Sequence, residues 1–191
     1  MRELFENCYG ISDKRLLEQL ISAGKIESFP RGTVVVEAGK EQRYLLILLE
    51  GVVRGYLLDA DGREITDCFA YRKGEIVSGC NQLGAVSQIN IETLTECRCV
   101  VLQTNMVLEL IQRNTSLLLL YNQYLAAALD RHWEVKMLMY RCTAMQRYQW
   151  FLDNYAEILG IVSNRHIASF LSMTPVTLSR LRRQMRETPL L

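Results

Sequence analysis

The side chains best suited to chemistry lie in residues 163–186, where polar and basic residues recur at helical spacing. Thr177, Arg180 and Arg183 are three residues apart, so they fall on one face of a helix. Guanidinium groups in such a row pair with phosphates and with the major-groove edge of guanine. This pattern predicts a helix that presents side chains to the major groove of DNA.

Two short helices joined by a tight turn are predicted around this row. Ser163 and Thr174 are typical N-cap residues for the first and second helix. Pro175 suits the first position of the second helix, where its missing N–H is not needed. The apolar residues expected to pack inward are Ile167, Ala168, Leu171, Val176, Leu178 and Leu181. A helical hairpin with a solvated basic face would show the same pattern, so the spacing alone leaves both interpretations open.

The charge distribution favours DNA binding. From residue 143 onward the chain has six arginines and three acidic residues, a net charge of +3, whereas the whole chain carries +1. The first 142 residues therefore carry a net charge of −2. A phosphate-binding surface requires positive charge concentrated in this way.

The composition is that of an ordinary globular protein. The 191 residues, 49% hydrophobic and 23% charged, can form one large or two small domains. The longest apolar runs are too short to span a bilayer, and the N-terminus has no apolar signal-peptide segment. A cytoplasmic location without a membrane partner is therefore expected.

Six cysteines raise the question of a metal or iron–sulfur site. No Cys-x-x-Cys pair occurs, only Cys97 and Cys99 are close in sequence, and there are two histidines. We therefore expect reduced, buried thiols, no metal and no cofactor. Because no nucleophile–histidine–acid arrangement emerges either, we expect no catalytic residues and no enzymatic activity.

Strand and turn signals dominate the chain before residue 103. A short amphipathic helix is predicted at residues 11–23, capped by Ser12 and ended by Gly24. Predicted strands follow at residues 33–37, 44–49, 52–58, 64–71, 91–94 and 97–102, with a hairpin turn at 59–63. Many short strands at this spacing predict a closed roll or sandwich.

A long helix is predicted from about residue 116 to about residue 140. Its apolar residues recur at spacings of three and four, which is the repeat of a two-stranded coiled coil. The predicted dimer seam consists of Leu118, Tyr121, Leu125, Ala128, His132, Val135 and Met139. His132 is expected to be packed and hydrogen-bonded, and a second apolar stripe is expected to pack on the roll. A single long core helix in a monomer would show a similar stripe.

In this order of parts, the chain resembles the cyclic-AMP receptor protein and fumarate–nitrate regulator (Crp/Fnr) family of bacterial transcription factors, in its Bacteroidetes-like branch. The most specific match is Ile167-Ala-Ser-x-Leu171 followed by Thr174-Pro-x-Thr-Leu-Ser-Arg180. The resemblance implies an α+β fold with an N-terminal β-roll, like a cyclic-nucleotide-binding jelly roll, at residues 1–114. A dimerisation helix at 115–142 and a helix-turn-helix DNA-binding domain at 143–191 are implied to follow.

The resemblance also implies a homodimeric, sequence-specific regulator that binds a roughly palindromic operator in double-stranded DNA. Thr177, Ser179 and Arg180 would approach base edges, with Asn164 and Arg165 on phosphates. The full predicted DNA-binding set is Asn164, Arg165, Thr174, Thr177, Ser179, Arg180, Arg182 and Arg183. RNA polymerase and an unidentified small-molecule effector stay open as further partners.

The candidate effector pocket departs from the family pattern. Ser78 and Gly79 stand where cyclic-nucleotide sensors carry a glycine–glutamate pair, and no Lys or Arg occurs between residues 73 and 98. The candidate pocket residues are Ser78, Gly79, Cys80 and Trp133, with Trp133 expected to fill the pocket. Cyclic AMP is therefore not expected as a cofactor or ligand. A β-roll ligand sensor or protein-interaction module without DNA-binding activity remains the alternative.

Overall fold

The computed structural model describes residues 1–80 and 82–187 and divides the chain into two compact units. The N-terminal unit contains Met1–Leu57 and Cys68–Ala127. The C-terminal unit contains the hairpin tip Leu58–Asp67 and residues 128–187. The fold is α+β, with a β-roll followed by a long helix, as the sequence predicted.

The N-terminal unit begins with a π-helical turn at Leu4–Cys8 and helix α1 at Lys14–Ala23. Asp13 caps α1, because its carboxylate accepts hydrogen bonds from the amides of Arg15 and Leu16 at 2.9 and 3.3 Å. The prediction of Ser12 as the cap is wrong, since the helix begins two residues beyond it at Lys14. Gly24 follows the last helical residue, as predicted.

Eight strands of the described chain form two antiparallel sheets. They are β1 Lys25–Phe29, β2 Val34–Val36, β3 Tyr44–Glu50, β4 Val53–Leu58, β5 Glu64–Ala70, β6 Ile76–Val77, β7 Asn90–Thr93 and β8 Cys97–Gln103. The first sheet has the order β1-β8-β3-β6, and the second has the order β2-β7-β4-β5. The tip between β4 and β5 is closed by Asp59, whose carboxylate accepts from the amides of Asp61 and Arg63.

Strand β3 confirms the strand predicted at residues 44–49, and its continuous apolar run is buried on both faces. Leu46 and Leu48 belong to the apolar interior of the roll, together with Cys97 and Cys99 of β8. Leu45 and Ile47 belong to a second cluster, formed with helices α1, α2 (Thr104–Arg113) and α3 (Thr115–Arg141). One strand therefore separates two hydrophobic cores, because its side chains alternate between the two faces of the sheet.

All six cysteines lie in the described residues, and none forms a disulfide. Cys97 and Cys99 are buried, as predicted, and lie on the same face of β8, whereas Cys8 is exposed. The expectation that all thiols are buried is therefore wrong for Cys8, which lies at the end of the short π-helical turn, and is met only in part for Cys68, Cys80 and Cys142, which are half-buried. Burial raises the pKa of Cys99 to about 12, so that thiol stays protonated at neutral pH.

Helix α3 is continuous over 27 residues, as predicted. It is anchored near its ends, where Leu117 and Leu138 are buried. Residues 126–134 between them are exposed on every side within one chain. His132 lies in this span, so the expected packing of its ring does not occur within a single chain.

Three further α-helices and a 3₁₀ turn at Ala156–Ile158 complete the described chain. Helix α4 (Ala144–Asn154) begins with a capping box, in which Thr143 Oγ1 accepts from the Gln146 amide and Gln146 Oε1 accepts from the Thr143 amide. Helices α5 (Asn164–Phe170) and α6 (Pro175–Glu187) follow. Phe151, Tyr155 and Phe170 form an aromatic cluster between α4 and α5. None of the described helices has the length and apolar character needed to cross a membrane.

Candidate nucleic-acid interface and ligand cavity

Helix α5 is held in place by its cap and its buried face. Ser163 Oγ accepts from the His166 amide at 3.2 Å, as predicted. Ile167, Ala168 and Leu171 are buried, which confirms the inward face predicted for this helix. The turn that follows includes Ser172 at φ 51°, a left-handed conformation that reverses the chain within a few residues.

Helix α6 is capped by Thr174, whose Oγ1 accepts from the Thr177 amide at 3.1 Å. Leu178 is 1% exposed and anchors the helix, as predicted. The prediction that Val176 packs inward is wrong, because its side chain is 61% exposed. Val176 precedes Leu178 by two positions, which is a rotation of about 200° around a helix, so Val176 must face the opposite side.

The side of α6 opposite Leu178 exposes Ser179, Arg180 and Arg183 beside Val176. Thr177 lies at the edge of this surface and is half-buried, with its hydroxyl 3.0 Å from that of Thr174. We call Val176, Ser179, Arg180 and Arg183 the outer face of α6. Within residues 1–80 and 82–187, Arg180 forms no salt bridge, so its guanidinium is available to a partner.

The neighbouring predicted residues are partly engaged with one another. Arg182 donates to Asn164 Oδ1, a contact that links α6 to the first turn of α5. Arg183 Nε donates to Glu187 at 2.7 Å, one turn further along α6. Arg165 is exposed at the start of α5. The predicted DNA-binding residues are thus brought together at the two helix N-termini and along α6.

Ser169 joins these helices to the hairpin tip, and no sequence pattern indicated this role. Its hydroxyl accepts from the Thr66 amide at 2.9 Å and donates to the Glu64 carbonyl at 3.3 Å. The partners are 103 and 105 residues away in sequence. The residue lies in the middle of α5 and is half-buried.

The N-terminal unit contains a cavity of about 180 Å³ between the first sheet and helices α1–α3. Ser78 and Cys80, two of the predicted pocket residues, line it. Gly79 does not line it, and neither does Trp133, which belongs to the C-terminal unit. The Trp133 side chain is half-exposed, with Lys136 Nζ 4.7 Å from its ring centroid. The expectation that Trp133 fills the pocket is therefore not met.

The segment that should hold a cyclic phosphate is already satisfied internally. The Gly79 amide donates to Oε1 of the buried Gln42 at 3.1 Å, and the Cys80 amide lies 3.4 Å from Ser78 Oγ. A Cβ added at Gly79 would overlap Ser87 Oγ, so that side chain occupies the adjacent space. Since no Lys or Arg lies at residues 74–97 either, these residues do not fit a phosphate.

The buried cation of the roll is Arg54, which sequence reasoning missed. Its guanidinium lies 2.6 Å from Glu92 on the neighbouring strand and 4.5 Å from the Tyr56 ring centroid. The pair is part of the roll's structure, and its charge is neutralised within the roll. The sequence signal for this ion pair was an arginine inside one predicted strand and a glutamate inside another.

Comparisons with known proteins match the cyclic nucleotide-binding domain family to residues 26–114. No curated protein sequence matches the chain. Among solved structures, FixK2 from Bradyrhizobium japonicum is similar at 20% identity and a TM-score of 0.77, covering 86% of this chain and 85% of that one. The c-di-GMP responsive global regulator CLP from Xanthomonas campestris is similar at 16% identity and a TM-score of 0.73, covering 92% of each chain.

A crp/fnr-family transcriptional regulator from Eubacterium rectale is also similar, at 15% identity and a TM-score of 0.74, covering 95% of this chain and 87% of that one. Identities this low show a shared fold. Residues 26–114 are therefore similar to the cyclic nucleotide-binding domain family, and the chain has the fold of Crp/Fnr-family regulators. The resemblance inferred from the sequence is confirmed at that level.

Proposed function

We propose that this chain is a homodimeric, sequence-specific DNA-binding transcriptional regulator of the Crp/Fnr type, in which α5 and α6 form a helix-turn-helix. The observation that carries the proposal is the outer face of α6, an exposed arginine-bearing surface on a helix fixed by its cap and by Leu178. Its 13 residues span about 20 Å. A helix of this size enters the major groove of B-DNA.

Different side chains on this surface have different proposed roles. Arg180 and Ser179 are directed at base edges, where an arginine pairs with guanine through two hydrogen bonds. Asn164 and Arg165, at the positive N-terminal end of α5, are directed at a phosphate. The contact between Arg182 and Asn164 links the two helices, and Arg183 adds phosphate attraction.

The exposure of α3 supports a dimer. A helical span of nine residues with no intrachain cover, 126–134, is marginal in water unless another surface packs against it. The predicted seam continues through this span at Ala128 and His132. A second copy related by a twofold axis would cover the seam and place two α6 helices one DNA turn, about 34 Å, apart. The operator would then be roughly palindromic.

The DNA-binding part is tested with an operator duplex selected from random sequence by the wild-type chain. Arg180→Ala is expected to reduce the preference for that operator over random duplex by about 10- to 100-fold while some nonspecific binding remains. Arg15→Ala, which removes an exposed arginine from α1, is the matched control and should leave binding unchanged. A triple variant that carries Arg180→Gln, Arg182→Gln and Arg183→Gln tests the alternative. If this variant retains DNA as well as the wild-type chain does, the protein-interaction alternative is favoured.

The dimer is tested by a charge placed on the seam. Ala128→Lys should shift the chain to monomer in sedimentation equilibrium, because the lysine would be buried against its symmetry mate. Ala126→Lys is the matched control, since both alanines are exposed in one chain and lie on opposite sides of α3. Equal dimerisation of the two variants would contradict the proposed seam.

A further inference from the structure

The cavity of the N-terminal unit has a well-defined position and size. It lies outside the roll interior, on the helix-covered face of the first sheet, where Leu45 and Ile47 of β3 form its floor. Val107 of α2 and Leu120 of α3 form part of its walls. Its volume, about 180 Å³, is close to that of engineered apolar cavities that stay dry and bind benzene or xenon.

The chemistry of the lining excludes a charged occupant. Of the side chains that line the cavity, none is a lysine, arginine, histidine, aspartate or glutamate. A buried ion would therefore have no counter-charge, which is a strongly unfavourable environment. An apolar molecule requires no counter-charge there and gains dispersion contacts with the aliphatic and aromatic side chains of the walls.

Several of the few polar groups in the lining already form hydrogen bonds within the chain. Tyr9 donates its hydroxyl proton to the Gly74 carbonyl at 2.7 Å, and the Tyr121 hydroxyl accepts from the Leu83 amide at 3.4 Å. The Ser78 hydroxyl bonds to the Cys80 carbonyl at 3.0 Å. Burial also raises the pKa of Tyr124 to about 12, so this phenol stays neutral. The cavity therefore offers mainly ring faces and aliphatic carbon to a ligand.

We propose that this cavity binds an uncharged, predominantly apolar molecule about the size of a substituted benzene ring. Tyr121 and Leu125 line the cavity and also belong to the predicted dimer seam of α3. An occupant in contact with these two side chains binds one arrangement of α3 better than another and thereby changes dimer affinity. This regulatory consequence rests on the proposed dimer, whereas ligand binding itself does not.

The binding test uses the full chain and 4-fluorotoluene, observed by ¹⁹F NMR. Saturable binding is expected, displaced by toluene, with a rise in Tm at saturation. The charged counterpart of the same shape, 4-fluorobenzoate, should not bind, and cyclic AMP should not displace the probe. Absence of saturable binding, equal binding of 4-fluorobenzoate or displacement by cyclic AMP would overturn the proposal.

Two variants locate the site. Val107→Phe fills the cavity and should weaken 4-fluorotoluene binding about tenfold or more. Val86→Phe adds the same ring at an exposed position outside the lining and should leave binding unchanged. Equal 4-fluorotoluene binding by the two folded variants would overturn the assignment of the probe to this cavity. If Val107→Phe does not fold, the wild-type binding and competition measurements test the proposal.

The regulatory part is measured by the dimer dissociation constant with and without saturating 4-fluorotoluene. A change of about threefold or more is expected, and an unchanged constant overturns the coupling. Failure of DNA binding with intact probe binding would refute only the proposed function. Intact DNA binding without probe binding would refute only the cavity assignment.

Discussion

Replacing Ser169 by alanine is expected to destabilise the C-terminal unit by about 1.5 kcal/mol. The change removes one hydrogen bond accepted from Thr66 at 2.9 Å and one donated to Glu64 at 3.3 Å. Each such bond contributes about 0.5–1.5 kcal/mol net. Alanine in the middle of a helix recovers about 0.5 kcal/mol through its higher helix propensity, so the loss exceeds the gain.

The measurement combines urea unfolding with amide hydrogen exchange. Ser179→Ala is the matched control, because Ser179 is exposed in α6 and gains the same helix propensity without losing a long-range bond. The free energy of unfolding should therefore be about 2 kcal/mol lower for Ser169→Ala than for Ser179→Ala. In the same experiment, exchange of the Thr66 amide should accelerate in Ser169→Ala and stay unchanged in Ser179→Ala.

One result would refute this reasoning. If the two alanine variants unfold at the same urea concentration and the Thr66 amide exchanges at the wild-type rate in both, the Ser169 hydroxyl does not hold the hairpin tip. The link between the tip and α5 would then depend on apolar packing alone.

Three further predictions concern stability and reactivity. Leu178→Ala should lower the free energy of unfolding, measured in urea, by about 2–5 kcal/mol, whereas Val176→Ala should change it by less than about 0.5 kcal/mol. Similar losses in the two variants would contradict the assignment of Leu178 as buried and Val176 as exposed. Thr143→Ala should lower the free energy of unfolding by about 1 kcal/mol, because it removes half of a capping box. An unchanged thermal unfolding curve would contradict this prediction. At pH 8, iodoacetamide should label the exposed Cys8 and spare Cys99, whose pKa is raised to about 12, as followed by mass spectrometry of the native chain; labelling of native Cys99 would show that burial does not protect it.

The sequence predicted the elements whose signals are local. Ser163 and Thr174 were identifiable as caps because a hydroxyl followed by helical periodicity satisfies free amides within the same turn. Strand β3 was identifiable because an unbroken apolar run bounded by turn residues suits a strand buried on both faces. Both signals are complete within a few residues.

Contacts between distant segments were not predictable in this way. Gln42 is buried, with Nε2 donating to the Val77 carbonyl while Oε1 accepts from the Gly79 amide. Nothing near Gln42 in sequence indicates these partners, and the same holds for Ser169. The error at Val176 had a different origin, since an apolar residue on the first turn of a helix fits either face until the position of the buried anchor is known.

The two parts of the chain differ in how well they can bind an anion. In the N-terminal part, the amide that could cradle a phosphate bonds to Gln42, the buried cation Arg54 is neutralised by Glu92, and the first 142 residues carry a net charge of −2. An anionic effector at Gly79 would thus meet a net negative charge in this part of the chain and an amide that already bonds to Gln42. The six arginines that follow residue 142 give the opposite field. An uncharged effector in the cavity and phosphates at α6 are therefore compatible in one chain, because neither ligand competes for the other's site.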